Sequence, residues 1–168
     1  RRRAGCQRPR DPGRPQVRGL GREHGTIRER KTGMELEGGC YCGELRYKVS
    51  GDPVIKGQCH CRECQYVSGG GPNFIFGFPE SGFDYTTGQP ASFSRRDLDS
   101  PVAREFCENC GTHTLSRVPS IPGVVILKVG TLDDPTQFPG ATMAIYMCDA
   151  QPFHVVPEGV RSFDRIPG

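Results

Sequence analysis

Seven of the nine cysteines fall into three tight groups: a CxC at Cys40 and Cys42, a CxCxxC at Cys59, Cys61 and Cys64, and a CxxC at Cys107 and Cys110. Thiols at such spacings are held together by sulfur–sulfur bonds or by metal, and a disulfide framework needs an oxidising compartment and a leader to reach it. The basic N-terminus lacks the apolar stretch of a secretory signal, and nine cysteines is an odd number. No run approaches the roughly 18 apolar residues of a membrane span, so no membrane association is expected. CxC and CxxC pairs in such a chain read as zinc sites, and the expected compartment is the reducing cytoplasm. A structural zinc takes four protein ligands, whereas a catalytic zinc keeps three and leaves a position open. Seven thiolates therefore match one closed and one open site, two zinc ions per chain.

Charge divides the chain in two. Residues 1–33 carry eleven Lys/Arg against Asp11, Glu23 and Glu29, a net +8, which leaves −5 on residues 34–168 although the whole chain is +3. The basicity that would otherwise point to phosphate binding thus belongs to the leading segment alone, and no nucleic-acid partner is expected of the remainder. The segment is rich in Pro and Gly and nearly free of large apolar residues, so it buries too little to offset ordering entropy and is expected to be disordered. It has no serine, unlike a mitochondrial transit peptide. The chain begins without methionine, and Met34 directly precedes the patterned region, so residues 1–33, with Cys6, read as an upstream extension outside the native domain.

From Glu35 onward the apolar period is two. Leu45, Tyr47 and Val49 alternate with Arg46 and Lys48, and Gly51 to Pro53 end the run. Further strands are expected over 54–59, 73–78, 102–106, 112–117, 123–129 and 142–147, with Arg62 to Ser68 the one stretch able to make a helical turn or two. Gly69 to Pro72 and Glu80 to Gly82 cannot continue regular structure. Short strands separated by such breaks predict an all-β domain of two packed antiparallel sheets over 34–168 with at most a short helix.

In extended chain residues i and i+2 face one side, so Cys40 with Cys42, and Cys59 with Cys61, each present two sulfurs to a metal while His60 points away into a structural role. Cys107 and Cys110 close a knuckle whose following Gly111 supplies a positive φ. Sixteen residues separate Cys42 from Cys59, close to zinc-ribbon spacing, which groups 40/42 with 59/61 and leaves Cys64 with Cys107 and Cys110. Spacing alone does not choose between this grouping and others.

Other residues have plain readings. Phe74, Phe76 and Phe78 alternate on one strand face and are expected in the core. His113 reads as a strand residue, with an acid/base role as the functional alternative. Asp133 and Asp134 before Pro135 read as a turn, and Arg95 and Arg96 beside Asp97 as a solvated loop. Cys148 is expected to be at least partly buried, its functional reading being a fourth ligand to the second zinc.

Gly38-Gly39-Cys40-Tyr41-Cys42-Gly43, Cys59-His60-Cys61-Arg62-Glu63-Cys64 with Ser68-Gly69, Phe106-Cys107-Glu108-Asn109-Cys110-Gly111-Thr112 and Gly130-Thr131-Leu132-Asp133-Asp134-Pro135 occur in this order. Together they resemble the glutathione-dependent formaldehyde-activating enzyme family, also called the centromere protein V family. The resemblance implies a β-tent fold with two zincs, the structural one on Cys40, Cys42, Cys107 and Cys110 and the catalytic one on Cys59, Cys61 and Cys64. It implies a zinc-dependent carbon-sulfur lyase that adds glutathione to formaldehyde and forms S-hydroxymethylglutathione. Gln65, Tyr66 and Val67 stand where the family often has a basic residue. The alternative is a zinc-stabilised β-tent or zinc-ribbon binding module without catalysis, which would not require three extra thiolates around an exposed metal.

Overall fold

The computed structural model describes residues 33–167, so that the expected basic extension and Cys6 lie outside the described residues, Gly33 excepted. Strands β1 (Met34–Gly39) and β2 (Arg46–Gly51) form a hairpin, and β3 (Ile55–Cys59) leads into a helix, α1 (Arg62–Ser68). There follow β4 (Asn73–Pro79), β5 (Phe83–Thr87), β6 (Ala91–Phe93), β7 (Ala103–Phe106), β8 (His113–Arg117), β9 (Val124–Lys128), β10 (Met143–Ile145) and β11 (Arg161–Ser162). The strands form two sheets, β1-β2-β5 and an eight-stranded β11-β10-β3-β4-β9-β8-β7-β6. This is the all-β class with two sheets and one short helix that the period-two pattern predicts.

The core is the seam between the sheets. Leu36, Tyr47 and Val49 from the smaller sheet meet Phe76, Phe78, Leu115, Val125 and Leu127 from the larger, all buried. Because successive side chains on a strand point to opposite faces, the residues between these project to the far side of the larger sheet. Ile55, Cys59, Ile75, Ile126 and Lys128 there line a cleft of about 580 Å³. One sheet thus supplies the core with one face and the cleft with the other.

Three features depart from expectation. The larger sheet is mixed, because β10 pairs in parallel with both β3 and β11; a parallel partner needs a long crossover, and the excursion from β4 to β9 provides it. The pattern does not announce β5, an edge strand of which only Phe83 and Tyr85 are apolar, nor the short β6 and β11. Phe74 is 43% exposed although it shares the parity of Phe76 and Phe78. It stands near the start of β4, where its aromatic partner is Phe138, with ring centroids 6.3 Å apart.

The Gly130–Pro135 block docks on the β1–β2 hairpin. Tyr47 Oη lies 2.8 Å from Thr131 Oγ1, and burial pushes the phenol up to about 12, which keeps it neutral. The Asp133 N–H donates to Glu37 O at 3.0 Å, and Arg46 Nη1 donates to Asp133 Oδ1 at 2.8 Å, so Asp133 is an ion-pair partner and not only a turn residue. Asp134 accepts from Thr136 N–H at 3.1 Å and starts the next turn. Gly38 is required by this docking, since a Cβ there would lie 2.4 Å from both Thr131 O and Tyr47 Oη. Gly38→Ala is expected to lower stability by about 1–3 kcal/mol, the cost of overpacking a closed site, read by urea unfolding of the metal-loaded protein. An unchanged midpoint would contradict this packing.

Candidate functional site

The seven cysteine sulfurs gather into two clusters, Cys40, Cys42, Cys107 and Cys110 in one, and Cys59, Cys61 and Cys64 in the other, each with all sulfurs within 4.8 Å of one another. The local grouping from spacing, 40/42 with 59/61 and Cys64 with 107/110, is not what the fold makes. Its failure has a topological cause: Cys40 and Cys42 sit in the β1–β2 turn of the smaller sheet, whereas Cys59 ends β3 in the larger. All eight described cysteines are free thiols, and Cys148 is exposed and outside both clusters, contrary to its expected burial and to a ligand role.

The four-thiol cluster joins two hairpins. Cys40 Sγ lies 3.4 Å from Cys42 Sγ, which lies 3.7 Å from Cys107 Sγ. Tetrahedral zinc with bonds of about 2.3 Å to sulfur separates its ligands by about 3.8 Å, so the donor set fits that ion in both spacing and softness. Leu45 N–H donates to Cys40 Sγ at 3.2 Å. Thr112 is shared between the hairpins: its Oγ1 accepts from Tyr41 N–H at 3.1 Å and lies 3.2 Å from Cys110 Sγ, which holds that thiol down to about 6. Gly111, at φ 72°, makes the knuckle, with its N–H on Cys107 O at 2.8 Å.

The three-thiol cluster opens on the cleft. Cys59 is buried at the end of β3, Cys61 is the extended N-cap residue of α1, and Cys64 lies in the first helical turn, its N–H 3.4 Å from Cys61 Sγ. The adjacent Cys59 and Cys64 thiols hold Cys61 well below the ordinary thiol range, and the same contacts push Cys59 up. Soft donors and no carboxylate again suit zinc, here with three protein ligands.

His60 faces away from both sulfurs and is fully buried. His154 Nε2–H donates to Gly70 O at 2.8 Å, so His154 Nδ1 accepts, taking Gln151 N–H at 3.2 Å and His60 Nδ1–H at 3.0 Å. His60 Nε2 lies 3.3 Å from Gln58 Oε1. Gln65, which follows the cluster, is buried and donates to His60 O at 2.6 Å and Asp149 O at 2.8 Å. It ties α1 to the C-terminal segment and offers the cleft no charge.

The cleft's polar residues come from elsewhere. Glu63 receives Arg104 and, at 2.7 Å, Arg95, which also holds Asp97; Arg95 is thus built into the site wall and is no free loop residue. Lys128 is buried on the same sheet face as Cys59, and burial pushes its ammonium down to about 8 against the pull of the Cys64 and Cys59 sulfurs. His113 Nε2–H donates to Leu115 O at 2.8 Å, which leaves a buried, unpartnered Nδ1. Burial holds this ring down to about 4, so it is neutral at pH 7 and can only accept there. Tyr146 lines the cleft at φ 58°, the one non-glycine residue with positive φ among the described residues, a strained conformation of the kind concentrated at functional sites. Lys128 escaped the sequence reading although its signal was present, one charge inside the apolar run Val124 to Val129.

The family model described as "Glutathione-dependent formaldehyde-activating enzyme" matches residues 35–149. A comparison with curated proteins gives no match. Among solved structures, a Rhodobacter sphaeroides protein is similar with a TM-score of 0.51 and 18% identity, covering 63% of this chain and 97% of its own. At that identity the likeness speaks to fold alone. Among the described residues no helix is long and apolar enough to cross a membrane.

The two clusters differ in what their loss should do. A structural zinc supplies folding free energy on the order of 10 kcal/mol, so Cys107→Ser is expected to abolish the cooperative melt. Cys61→Ser is expected to keep the melt and lose one metal equivalent by elemental analysis. The opposite pattern would reverse the assignment.

Proposed function

The chain belongs to the glutathione-dependent formaldehyde-activating enzyme family, and from that premise we propose that it is a zinc-dependent carbon-sulfur lyase acting in the cytoplasm on thiol–aldehyde adducts. Residues 34–168 form the working domain, preceded by a basic extension. The supporting observation is the separation of the thiols: four tie two hairpins together, and three stand at a cleft large enough for a small molecule. In this reading Cys40, Cys42, Cys107 and Cys110 hold a structural zinc, and Cys59, Cys61 and Cys64 hold a second at the cleft. When bound there, zinc lowers the pKa of a substrate thiol and keeps its sulfur as thiolate.

The protein's own groups handle the oxygen. In the synthetic direction the sulfur lone pair forms a bond to the carbonyl carbon, the C=O π pair moves to oxygen, and the proton lost by the thiol ends on that oxygen. For formaldehyde and glutathione the product is S-hydroxymethylglutathione; the reverse breaks the C–S bond and returns the proton to sulfur. Lys128, a buried cation facing the three thiols, is placed to donate to the oxygen as charge develops. A fixed donor in a dry site is worth far more than one in water.

The test is NMR exchange between isotope-labelled formaldehyde and small thiols, with and without zinc-loaded protein; no acceleration with any thiol would exclude the reading. Lys128→Met is expected to lower kcat by about 10²–10³-fold, the usual cost of removing one oxyanion donor, at unchanged zinc content. Lys128→Arg should restore part of the rate. A fall in zinc content in place of a fall in kcat would make Lys128 structural.

A further inference from the structure

Glutathione carries two carboxylates and one ammonium at neutral pH, and the cleft is poorly furnished to receive them. Arg104 and Arg95 spend their charge on Glu63 and Asp97. Arg62 donates to Gln65 Oε1, lies over the Tyr66 ring at 5.2 Å and is exposed at the rim. Lys128 makes no side-chain hydrogen bond among the described residues, but it faces three thiols. Among the described residues Arg62 and Lys128 are the lining Arg and Lys without a carboxylate partner, one exposed at the rim and one beside the sulfurs, and a carboxylate set against the apolar wall without a partner is strongly disfavoured.

The wall is apolar and continuous with the sulfurs. The register aligns rows across the larger sheet: Ile145 and Cys59 beside Asn73, then Met143, Gly57, Ile75 and Lys128, then Ile55, Gly77, Ile126, Ser116 and Arg104. In the third row Ile55 and Ile126 close over Gly77, where an added Cβ would lie 2.8 Å from Ile55 Cβ. Ile55, Ile75, Ile126, Ile145, Val118 and Ile121 form one packed surface with Cys59, Cys61 and Cys64. Ile55, Ile145, Val118 and Ile121 are only partly buried, so this surface is incompletely covered by the chain itself. The cleft of about 580 Å³ therefore has Lys128 beside its sulfurs and one continuous hydrocarbon wall, with Arg62, Glu63, Arg95, Arg104, Ser116 and Asp149 among the polar residues that complete the lining.

Resting on the function proposed above, we infer that the substrate thiol carries a sizeable apolar group that lies along this isoleucine surface while its sulfur meets the three-thiol site, and that such thiols are preferred to glutathione. The reaction is the balanced addition already described, with the apolar body as the specificity element. Each methylene that enters an apolar pocket raises selectivity, and a charged tripeptide gains nothing from this wall.

A thiol series tests this with the zinc-loaded full-length protein. Formaldehyde exchange is measured with ethanethiol, butanethiol, hexanethiol and glutathione, and each thiol is titrated in parallel by calorimetry. The expected result is a rise in kcat/KM of about tenfold or more from ethanethiol to hexanethiol, with hexanethiol ahead of glutathione and the same order in affinity. Hexan-1-ol, which lacks the sulfur, should compete with hexanethiol. A flat series, or glutathione ahead in rate and affinity, overturns the inference. Loss of exchange with every thiol would instead remove the catalytic reading, while calorimetry and hexanol competition would still decide the apolar preference.

Discussion

The four-thiol cluster is the constraint on which the remaining geometry depends, because its two halves belong to different sheets. The β1–β2 turn brings Cys40 and Cys42, and the β7–β8 knuckle brings Cys107 and Cys110. The link closes residues 43–106, a loop of 64 residues, and a long closure removes more freedom from the unfolded chain than a short one. Short strands accumulate apolar burial slowly, so a four-thiol cluster able to hold a metal at one end of the two sheets complements the aromatic packing of Tyr47, Phe76 and Phe78.

With the sheets fixed at that end, strand alternation partitions the larger sheet. On β9, Val125 and Leu127 are core, whereas Ile126 and Lys128 are cleft; on β3 and β4 the same parity sends Ile55, Cys59 and Ile75 to the cleft and Phe76 to the core. The cleft is the back of the core wall, and its floor is as rigid as the packing behind it. Side chains placed on such strands hold their relative positions better than those on loops.

Much of this was legible in the chain. The period-two runs marked most strands of the larger sheet, and the breaks at Gly69 to Pro72 and Glu80 to Gly82 bounded α1 and β4 as read. The cysteine count showed that two metal sites were to be sought. Spacing could not partition the seven thiols, because which hairpins face each other is a property of sheet packing, and only the ordered blocks of the family resemblance carried it. Non-local pairs such as Arg104 with Glu63, or His60 with His154, leave no local trace in a sequence. Lys128 did leave one, but a lone charge in an apolar strand also marks an ordinary strand end, and only the fold distinguishes the two. Phe74 was misplaced because parity predicts a face and not whether anything covers it.

The Glu63 carboxylate sits between Cys61 and Cys64 and is gripped by Arg104, which stands three residues before Cys107. One short strand, β7, thus has a thiol of the four-thiol cluster just past its C-terminal end and, through that ion pair, the turn that carries Cys61 and Cys64 on its flank. The two thiol clusters are linked through one strand, and a displacement of the knuckle is carried along β7 to the mouth of the cleft. Such coupling is reciprocal, so the position of each cluster bears on the other through the one strand and ion pair they share.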